Sequence, residues 1–265
     1  MRIHPTAIIE TGASLGDGVE VGPFSVIGPE AVVGDGTIIL SHVVIEGAVR
    51  IGRKNNIGHG SIIGGAPQDL GFTADRKSGI EIGDGNVFRE YCTIHRGTAE
   101  GSATIVGHEN FLMTGAHLGH NCQIGNNVII ANNCLLGGYV RVADRAFLGG
   151  GSVFHQNVRV GRLVITQGNS GFGKDLPPFV VAAQINAVAG LNVVGLRRAG
   201  FSAAERDDVK RAFKLLYRSG LNIRQALEKS AEMEWTQHSR EFFDFVGQAG
   251  ARGIVAYHNS SADDS

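Results

Sequence analysis

An aliphatic residue recurs at every sixth position through most of this 265-residue chain. A period of six fits neither an α-helix, with 3.6 residues per turn, nor an alternating strand, with a period of two. It is typical of hexapeptide solenoids, in which short strands wind into coils and the periodic residues stack inside. The periodic positions are Ile3, Ile9, Leu15, Val21, Ile27, Val33, Ile39, Ile45, Ile51, Ile57, Ile63, Ile82, Phe88, Ile94, Val106, Leu112, Leu118, Ile124, Ile130, Leu136, Val142, Leu148, Phe154, Val160 and Phe172, with Thr166 at one aliphatic slot.

The pattern predicts a mainly β protein with two parts. Residues 1–185 are predicted to form a left-handed parallel β-helix of hexapeptide repeats, with the handedness that hexapeptide proteins have as a class. Pro177-Pro178 ends the strand pattern. Residues 186–265 are predicted to form a small C-terminal α-helical domain with a disordered polar tail from Asn259 to Ser265.

Three helices are predicted in the C-terminal domain. Ser202 with Glu205 forms a capping-box pattern before residues with helical periodicity. A second helix is predicted near Ile223–Met233, and a third contains the apolar cluster Phe242–Val246.

Two insertions interrupt the six-residue rhythm. The first runs from Gly65 to Gly79 and the second from Gly97 to Thr104. A solenoid core has no room for extra residues, so both are expected to be extruded at a corner. The first contains the polar run Pro67–Phe72 and can carry function. The second is expected to be a surface insertion only.

Composition excludes several classes of protein. The formal net charge is −1, so no basic field favours nucleic acid. Cys92, Cys122 and Cys134 lack CxxC spacing and are expected to be reduced, as in a cytoplasmic protein. The first residues enter the repeat at Ile3 without the apolar stretch of a secretory signal, and no apolar run approaches the roughly 20 residues of a membrane span.

The six-residue period places residues 18 apart directly above one another. His120 is therefore predicted to lie beside Gly138, and Gly138 beside Gln156, with Asn121 and Tyr139 in the neighbouring column. A histidine beside an unobstructed backbone N–H combines a general base with a donor for an oxyanion. This pairing is the minimal equipment for acyl transfer.

His117 and His155 are predicted to lie along the same edge. Each histidine alone could also be a surface hydrogen-bonding residue at a corner. A zinc site built from His95, His117 and His120 across a subunit boundary is another interpretation, but no acidic side chain is evident to support the ligands.

Longer motifs resemble one family. The chain is similar to acyl-[acyl-carrier-protein]–UDP-N-acetylglucosamine O-acyltransferases, the cytoplasmic enzymes that begin lipid A synthesis, over nearly its whole length. The segments that carry this resemblance are Pro67–Leu70, Thr93–Thr98, Ala116–Cys122, Val153–Gln156, Asp175–Val180, Gly195–Phe201 and Ala212–Gly220.

The resemblance implies a homotrimer with active sites between neighbouring solenoids. It implies that His120 takes the proton from the 3-hydroxyl of the sugar and that the Gly138 N–H holds the oxyanion. It implies no metal and no cofactor, since the donor substrate is the thioester of acyl carrier protein. The substrate-binding residues that it implies are Gln68, Asp69 and His117 for the sugar, His155 and Gln156 for the nucleotide or phosphopantetheine, and Asn192 and Arg198 for the nucleotide phosphates.

Two further assignments follow from the resemblance. Gly168 aligns with the position that closes the acyl groove and acts as a ruler, and its missing side chain predicts long 3-hydroxyacyl donors. The acidic surface of acyl carrier protein needs basic partners, although a solvated helix face also explains such residues. The candidates are Lys210, Arg211, Lys214 and Arg218.

Five positions depart from the family pattern and keep other functions open. A paralogous acyltransferase could acylate a different acceptor, such as the amine of a 3-amino UDP-sugar. A catalytically silent trimeric scaffold is a further alternative, although His120 beside Gly138 argues against it. The departures are Gly71, Asn121, Tyr139, Val194 and Ala199.

Overall fold

The computed structural model describes residues 1–257 and contains 26 short strands wound as a left-handed parallel β-helix, which confirms the predicted fold class. The polar tail assigned to Asn259–Ser265 lies outside the described residues. The strands are β1 (Arg2–Ile3), β2 (Ile8–Ile9), β3 (Ser14–Leu15), β4 (Glu20–Val21), β5 (Val26–Ile27), β6 (Val32–Val33), β7 (Ile38–Ile39), β8 (Val44–Ile45), β9 (Ala48–Ile51), β10 (Asn56–Ile57), β11 (Ile62–Gly65), β12 (Gly79–Ile82), β13 (Val87–Phe88), β14 (Thr93–His95), β15 (Ala103–Val106), β16 (Phe111–Leu112), β17 (His117–Leu118), β18 (Gln123–Ile124), β19 (Ile129–Ile130), β20 (Leu135–Leu136), β21 (Arg141–Val142), β22 (Phe147–Leu148), β23 (Val153–Phe154), β24 (Arg159–Val160), β25 (Ile165–Thr166) and β26 (Gly171–Phe172).

Every third strand belongs to the same face of the solenoid. The first face begins with β1 and β4, the second with β2 and β5, and the third with β3 and β6. Strands on one face pair in parallel, and the partners are 18 residues apart wherever no insertion intervenes, as for Leu118 with Leu136. The register therefore confirms the stacking rule on which the sequence argument depends.

The periodic aliphatic side chains form the core of the solenoid. Ile27, Ile45, Ile63 and Leu118 are fully buried and stack on the second face. Thr166 occupies one of these inward positions, and its hydroxyl accepts a hydrogen bond from the Gly149 N–H at 2.8 Å. The core therefore tolerates a hydroxyl there because a backbone donor satisfies it.

The stacking of the coils resumes after each insertion, although the register of β11 against β14 shifts between Ile63 and Gly65, where the first insertion begins. Across the first, Ile63 pairs with Ile94, 31 residues away instead of 18, so the insertion adds 13 residues. Across the second, Ile94 pairs with Leu118, 24 residues away, so it adds six. The second insertion is more than a surface loop: Thr98 is only 8% exposed and hydrogen-bonds to Asn121.

After the last full coil the chain changes character. Strand β27 (Val180–Ala183) pairs antiparallel with β28 (Ala187–Leu191), and β29 (Ala256–Tyr257) adds to that hairpin in parallel. Four helices follow β28: α1 (Val193–Arg198), α2 (Ala203–Tyr217), α3 (Ile223–Ala231) and α4 (Gln237–Gly247). Helices α2, α3 and α4 match the three predicted ones, whereas α1 and the strands around it were not predicted.

Local sequence signals explain where the helices begin. Ser202 and Glu205 form the predicted reciprocal capping box at the start of α2. Asn222 and Gln225 form a second capping box at the start of α3. Asn192 caps α1 by accepting a hydrogen bond from the Gly195 N–H at 2.8 Å.

Arginines of the last coils hold the helical region against the solenoid. Arg159 forms an ion pair with Asp175 at 2.7 Å and lies over the Phe245 ring of α4. Arg162 forms an ion pair with Glu241 of α4 at 2.6 Å. Planar guanidinium groups suit such combined stacking and pairing.

All three cysteines are free and buried, as predicted. Burial raises the pKa of the Cys92, Cys122 and Cys134 thiols to about 12, so these groups stay protonated. Within residues 1–257, no helix combines the length and the apolarity that a membrane crossing requires.

Candidate active site

Six of the predicted site residues line one cleft of about 360 Å³ beside the corner that follows the second face of the solenoid. Larger cavities lie elsewhere, but this one is distinguished by its convergent imidazole, amide and backbone groups. The six residues are Gln68, His117, His120, Gly138, His155 and Gln156.

His120 lies directly against Gly138, as the 18-residue stacking predicts. A Cβ atom built on Gly138 would lie 2.4 Å from both Cε1 and Nε2 of His120, so only glycine leaves room for the ring. The Tyr139 N–H donates to the His120 carbonyl at 2.9 Å, which keeps the two coils in register. No hydrogen-bond acceptor for the Gly138 N–H is found in the described chain. This donor therefore remains available to a ligand.

The imidazole of His120 is oriented by its neighbours. Nδ1 of His120 lies 3.1 Å from Oδ1 of Asn121. The Tyr139 ring meets it edge to face, with 5.1 Å between the ring centroids. Both neighbours adopt left-handed backbone conformations, with φ of 58° at Asn121 and 60° at Tyr139. The two departures at these positions therefore contact the predicted base directly.

His117 is a neutral hydrogen-bonding group in this cleft. Its Nδ1 shares a hydrogen bond of 2.8 Å with the Thr93 hydroxyl. Burial, with a smaller contribution from the charge of His95, lowers the pKa of His117 to about 4. At neutral pH the ring is uncharged, so it can position a sugar hydroxyl without competing for the transferred proton.

This pKa gives the protein a pH-dependent contribution to stability. Because the pKa of His117 falls from 6.5 to about 4 on folding, the unfolded chain binds more protons between these values. Stability from this group is therefore complete above pH 6.5 and is lost as the pH falls toward 4. We expect the thermal midpoint of the wild type, relative to His117→Gln, to fall as the pH is lowered across that range. A difference that stays constant with pH contradicts this assignment.

Sequence reasoning missed Arg252 as a neighbour of the cleft. Its guanidinium donates to Nδ1 of His155 and to the carbonyl of Gln156, the latter at 3.0 Å. The hydrogen bond leaves the second ring nitrogen of His155 to carry the proton. Arg252 lies outside the hexapeptide repeats, so the six-residue period does not predict its position. A β-bridge between Asp175 and Ile254 brings its segment to the solenoid.

The remaining predicted residues do not line this cleft in the single chain. Asp69 is exposed, and its Oδ1 accepts a hydrogen bond from the Gly71 N–H at 2.8 Å. Arg198 is exposed at the end of α1. Gly168 lies at a corner that follows the first face, where an added Cβ would meet the Gly150 carbonyl oxygen at 3.0 Å.

Asn192 has a structural role that the sequence analysis did not anticipate. Asn192 is buried, with 4% of the residue exposed, and its Nδ2 donates to the Leu163 carbonyl at 2.8 Å. Its Oδ1 caps α1. Both polar atoms are therefore engaged inside the chain, and a phosphate contact would require one of these bonds to break.

The histidines proposed for the zinc alternative are engaged in other bonds. Nδ1 of His95 donates to the Ala66 carbonyl at 2.7 Å, and its ring lies 5.2 Å from that of His117. Across residues 1–257 no three His, Cys, Asp or Glu side chains converge as a metal-binding group.

Two protein-family models match the chain. The model described as UDP N-acetylglucosamine O-acyltransferase, domain 2, matches residues 175–255. The model for bacterial transferase hexapeptide repeats matches residues 103–138. Together they cover all four helices of the C-terminal region and the repeats that carry His120 and Gly138.

Curated relatives match along almost the entire chain. The acyl-[acyl-carrier-protein]–UDP-N-acetylglucosamine O-acyltransferase of Syntrophobacter fumaroxidans is 42% identical over 259 residues, covering 96% of this chain and 100% of the relative. The protein of the same name from Halorhodospira halophila is 46% identical over 259 residues, covering 96% of this chain and 99% of the relative.

Solved structures show the same architecture. The UDP-N-acetylglucosamine acyltransferase of Campylobacter jejuni superposes with a TM-score of 0.90 at 34% identity, covering 97% of this chain and 100% of that one. The enzyme of Francisella novicida gives a TM-score of 0.92 at 36% identity, covering 98% and 95% of the two chains.

Proposed function

Because the chain belongs to the acyl-[acyl-carrier-protein]–UDP-N-acetylglucosamine O-acyltransferase family, we propose that it transfers an acyl group from acyl carrier protein to UDP-N-acetylglucosamine, the first step of lipid A synthesis. We further propose that the donor is a 3-hydroxyacyl thioester and that the acceptor is the 3-hydroxyl of the sugar. The observation that carries this proposal is the contact between His120 and Gly138 in a cleft with four other polar site residues.

The geometry supports a direct transfer. His120 Nε2 removes the proton from the sugar hydroxyl as its oxygen attacks the thioester carbonyl carbon. The negative charge that develops on the carbonyl oxygen is stabilised by the Gly138 N–H. The C–S bond then breaks, the departing sulfur takes the proton from His120, and the new ester is released. The reaction balances without a metal or a redox cofactor, and we propose that none is used.

Substrate contacts are assigned by position around this pair. Gln68 and His117 share the cleft with His120, which supports their contacting the sugar. His155 and Gln156 lie one coil beyond Gly138, at the same cleft, and suit the nucleotide or the phosphopantetheine arm. Arg198 suits a nucleotide phosphate, because it is exposed at the end of α1 and its guanidinium carries a fixed positive charge. Asp69 and Asn192 are also proposed to contact the substrate, although Asp69 already accepts a hydrogen bond from the Gly71 N–H and Asn192 already caps α1.

A homotrimer in the cytoplasm is proposed as the working form. The second face presents exposed apolar side chains along its length. Such a surface favours contact with a second copy of this chain. Because this face leads into the cleft, the second copy could complete a site that one chain leaves open. The exposed side chains are Ile8, Ile62, Leu135 and Val153. The reduced cysteines support a cytoplasmic location.

Acyl carrier protein is the proposed donor partner. Lys210, Arg211, Lys214 and Arg218 are all exposed on or next to α2 and could meet its acidic surface. Arg211 and Arg218 also stack on aromatic rings, so a purely structural role accounts for part of this set.

N-acylation of a 3-amino UDP-sugar is the second candidate function. An amide at Asn121, in place of the carboxylate usual in the family, gives the protonated His120 less electrostatic support. An amine nucleophile depends less on that support than a hydroxyl does. This one observation favours the alternative acceptor.

An acceptor panel decides between the two. Purified protein is incubated with 3-hydroxyacyl carrier protein and with UDP-N-acetylglucosamine or its 3-amino analogue, and kcat/KM is measured for each. A preference for the hydroxyl sugar supports the proposal, and a preference for the amine supports the alternative. Absence of transfer to either sugar, with folded protein, contradicts both.

Donor length provides a separate prediction at Gly168. Gly168 has no side chain that could close the acyl groove, and each additional buried CH₂ contributes about 0.8 kcal/mol. We therefore expect wild-type protein to prefer hydroxymyristoyl over hydroxydecanoyl carrier protein and Gly168→Met to reverse the order. If a donor-length series gives both proteins the same optimum, the groove is closed elsewhere.

A further inference from the structure

The second insertion reaches the predicted base through a chain of hydrogen bonds. The Thr98 N–H and the Thr98 hydroxyl both lie 3.0 Å from Oδ1 of Asn121. Nδ1 of His120 lies 3.1 Å from the same oxygen. Three donors thus converge on one amide oxygen. Thr98 and Asn121 are each only 8% exposed, so water competes weakly for these bonds.

The backbone donor settles the orientation of the amide. A peptide N–H can only donate, so the Asn121 atom that faces Thr98 N must be the oxygen. That oxygen can only accept, and therefore Nδ1 of His120 carries the proton that points at it. The lone pair of His120 is then on Nε2, the atom that lies beside Gly138. Thr98 in this way selects the tautomer that a general base requires.

Tyr139 completes the arrangement from the next coil. Its hydroxyl lies 3.0 Å from the Thr98 hydroxyl. Because Thr98 has one hydroxyl proton and directs it at Asn121, the Tyr139 hydroxyl must be the donor between the two. The backbone of Asn121 is held as well, since its N–H donates to the Thr104 hydroxyl at 2.8 Å.

We propose that Thr98 is a positioning residue for the transfer reaction and that Tyr139 holds it in place. Through the amide of Asn121, Thr98 fixes the ring orientation and the tautomer of His120. The insertion from Gly97 to Thr104 thus helps to orient the His120 ring. Asn121 and Tyr139, which both depart from the family pattern, belong to the same hydrogen-bonded network, so the two departures compensate for each other. This inference rests on the proposed role of His120.

The test is a double-mutant cycle on kcat. Thr98→Val keeps the shape of the side chain and the backbone donor but removes the hydroxyl. We expect it to lower kcat about tenfold, the effect of losing one orienting hydrogen bond, with the KM for the UDP-sugar unchanged. Thr98→Ser restores kcat. In an Asn121→Gly background, chosen because glycine tolerates the positive φ, Thr98→Val has no further effect.

Tyr139→Phe extends the cycle, with Tyr91→Phe as its matched control. Tyr91 is an exposed corner residue with a similar φ of 58°, so its hydroxyl can be removed without touching this network. We expect a lower kcat for Tyr139→Phe only. Wild-type kcat in Thr98→Val overturns the proposal, and so does an equal loss in the Asn121→Gly background. If His120→Ala is fully active in the same assay, the proposed role of His120 fails and this inference fails with it. Absence of transfer by the wild type is the separate outcome that contradicts the proposed function.

Discussion

His120→Ala should lower kcat by about 10²- to 10⁴-fold, the range for loss of a general base. The imidazole is the group placed to remove the acceptor proton, and its Nε2 lies beside the Gly138 N–H. The KM for the UDP-sugar should change little, because the proton is transferred only in the transition state. Steady-state kinetics with carrier-protein donors measures both values.

The matched control for this variant is His108→Ala. His108 is also a corner histidine, but it is exposed, follows the third face and contacts Asp84 rather than the cleft. We expect its kcat to equal that of the wild type. Unchanged turnover in His120→Ala, with a folded protein by circular dichroism, would remove the general-base mechanism.

Gly138→Ala should be nearly as damaging although it adds a single methyl group. The new Cβ would lie 2.4 Å from Nε2 and Cε1 of His120, closer than real Cβ contacts allow, so the ring must move. Displacing a catalytic group by about 1 Å costs on the order of 10² in rate. We therefore expect kcat to fall at least 10²-fold while the solenoid stays folded, because Gly138 does not have a positive φ.

Gly247→Ala provides the steric control. A Cβ at Gly247, at the end of α4, meets nothing within 4 Å, so activity should be retained. The double variant His120→Ala, Gly138→Ala gives a further check. If the methyl group acts by moving the ring, the double variant is no slower than His120→Ala alone. Alanine keeps the backbone N–H, so a clear additional loss would mean that the methyl group also obstructs the substrate.

Periodicity explains why part of the site could be predicted from sequence. In a solenoid, the position of a residue along the period determines its corner and its coil, so the neighbours of His120 follow from counting by 18. Gly138 lies beside His120 in one direction and beside Gln156 in the other, as predicted. The N–H of Asn157, the residue after Gln156, donates to the Gly138 carbonyl at 2.9 Å. The core follows from the same rule, because one inward aliphatic position per six residues must be buried.

Contacts that leave the period could not be counted in this way. Thr98 meets Asn121 across 23 residues, and Arg252 meets His155 across 97. Both contacts depend on how an extruded loop or a C-terminal segment folds back on the solenoid. The capping role of Asn192 was missed for a related reason: the short helix α1 has too few turns to leave a periodic signal.

The sequence by itself determined the β-helix, its inward residues and the column that joins His120 to Gly138, because strand pairing at a constant 18-residue step converts linear spacing into spatial contact. Only the tertiary structure decided which tautomer His120 adopts and what supports it. That outcome depends on a backbone N–H at Thr98 meeting one amide oxygen, and hydrogen-bond geometry of this kind follows from the folded path of the loop rather than from residue type.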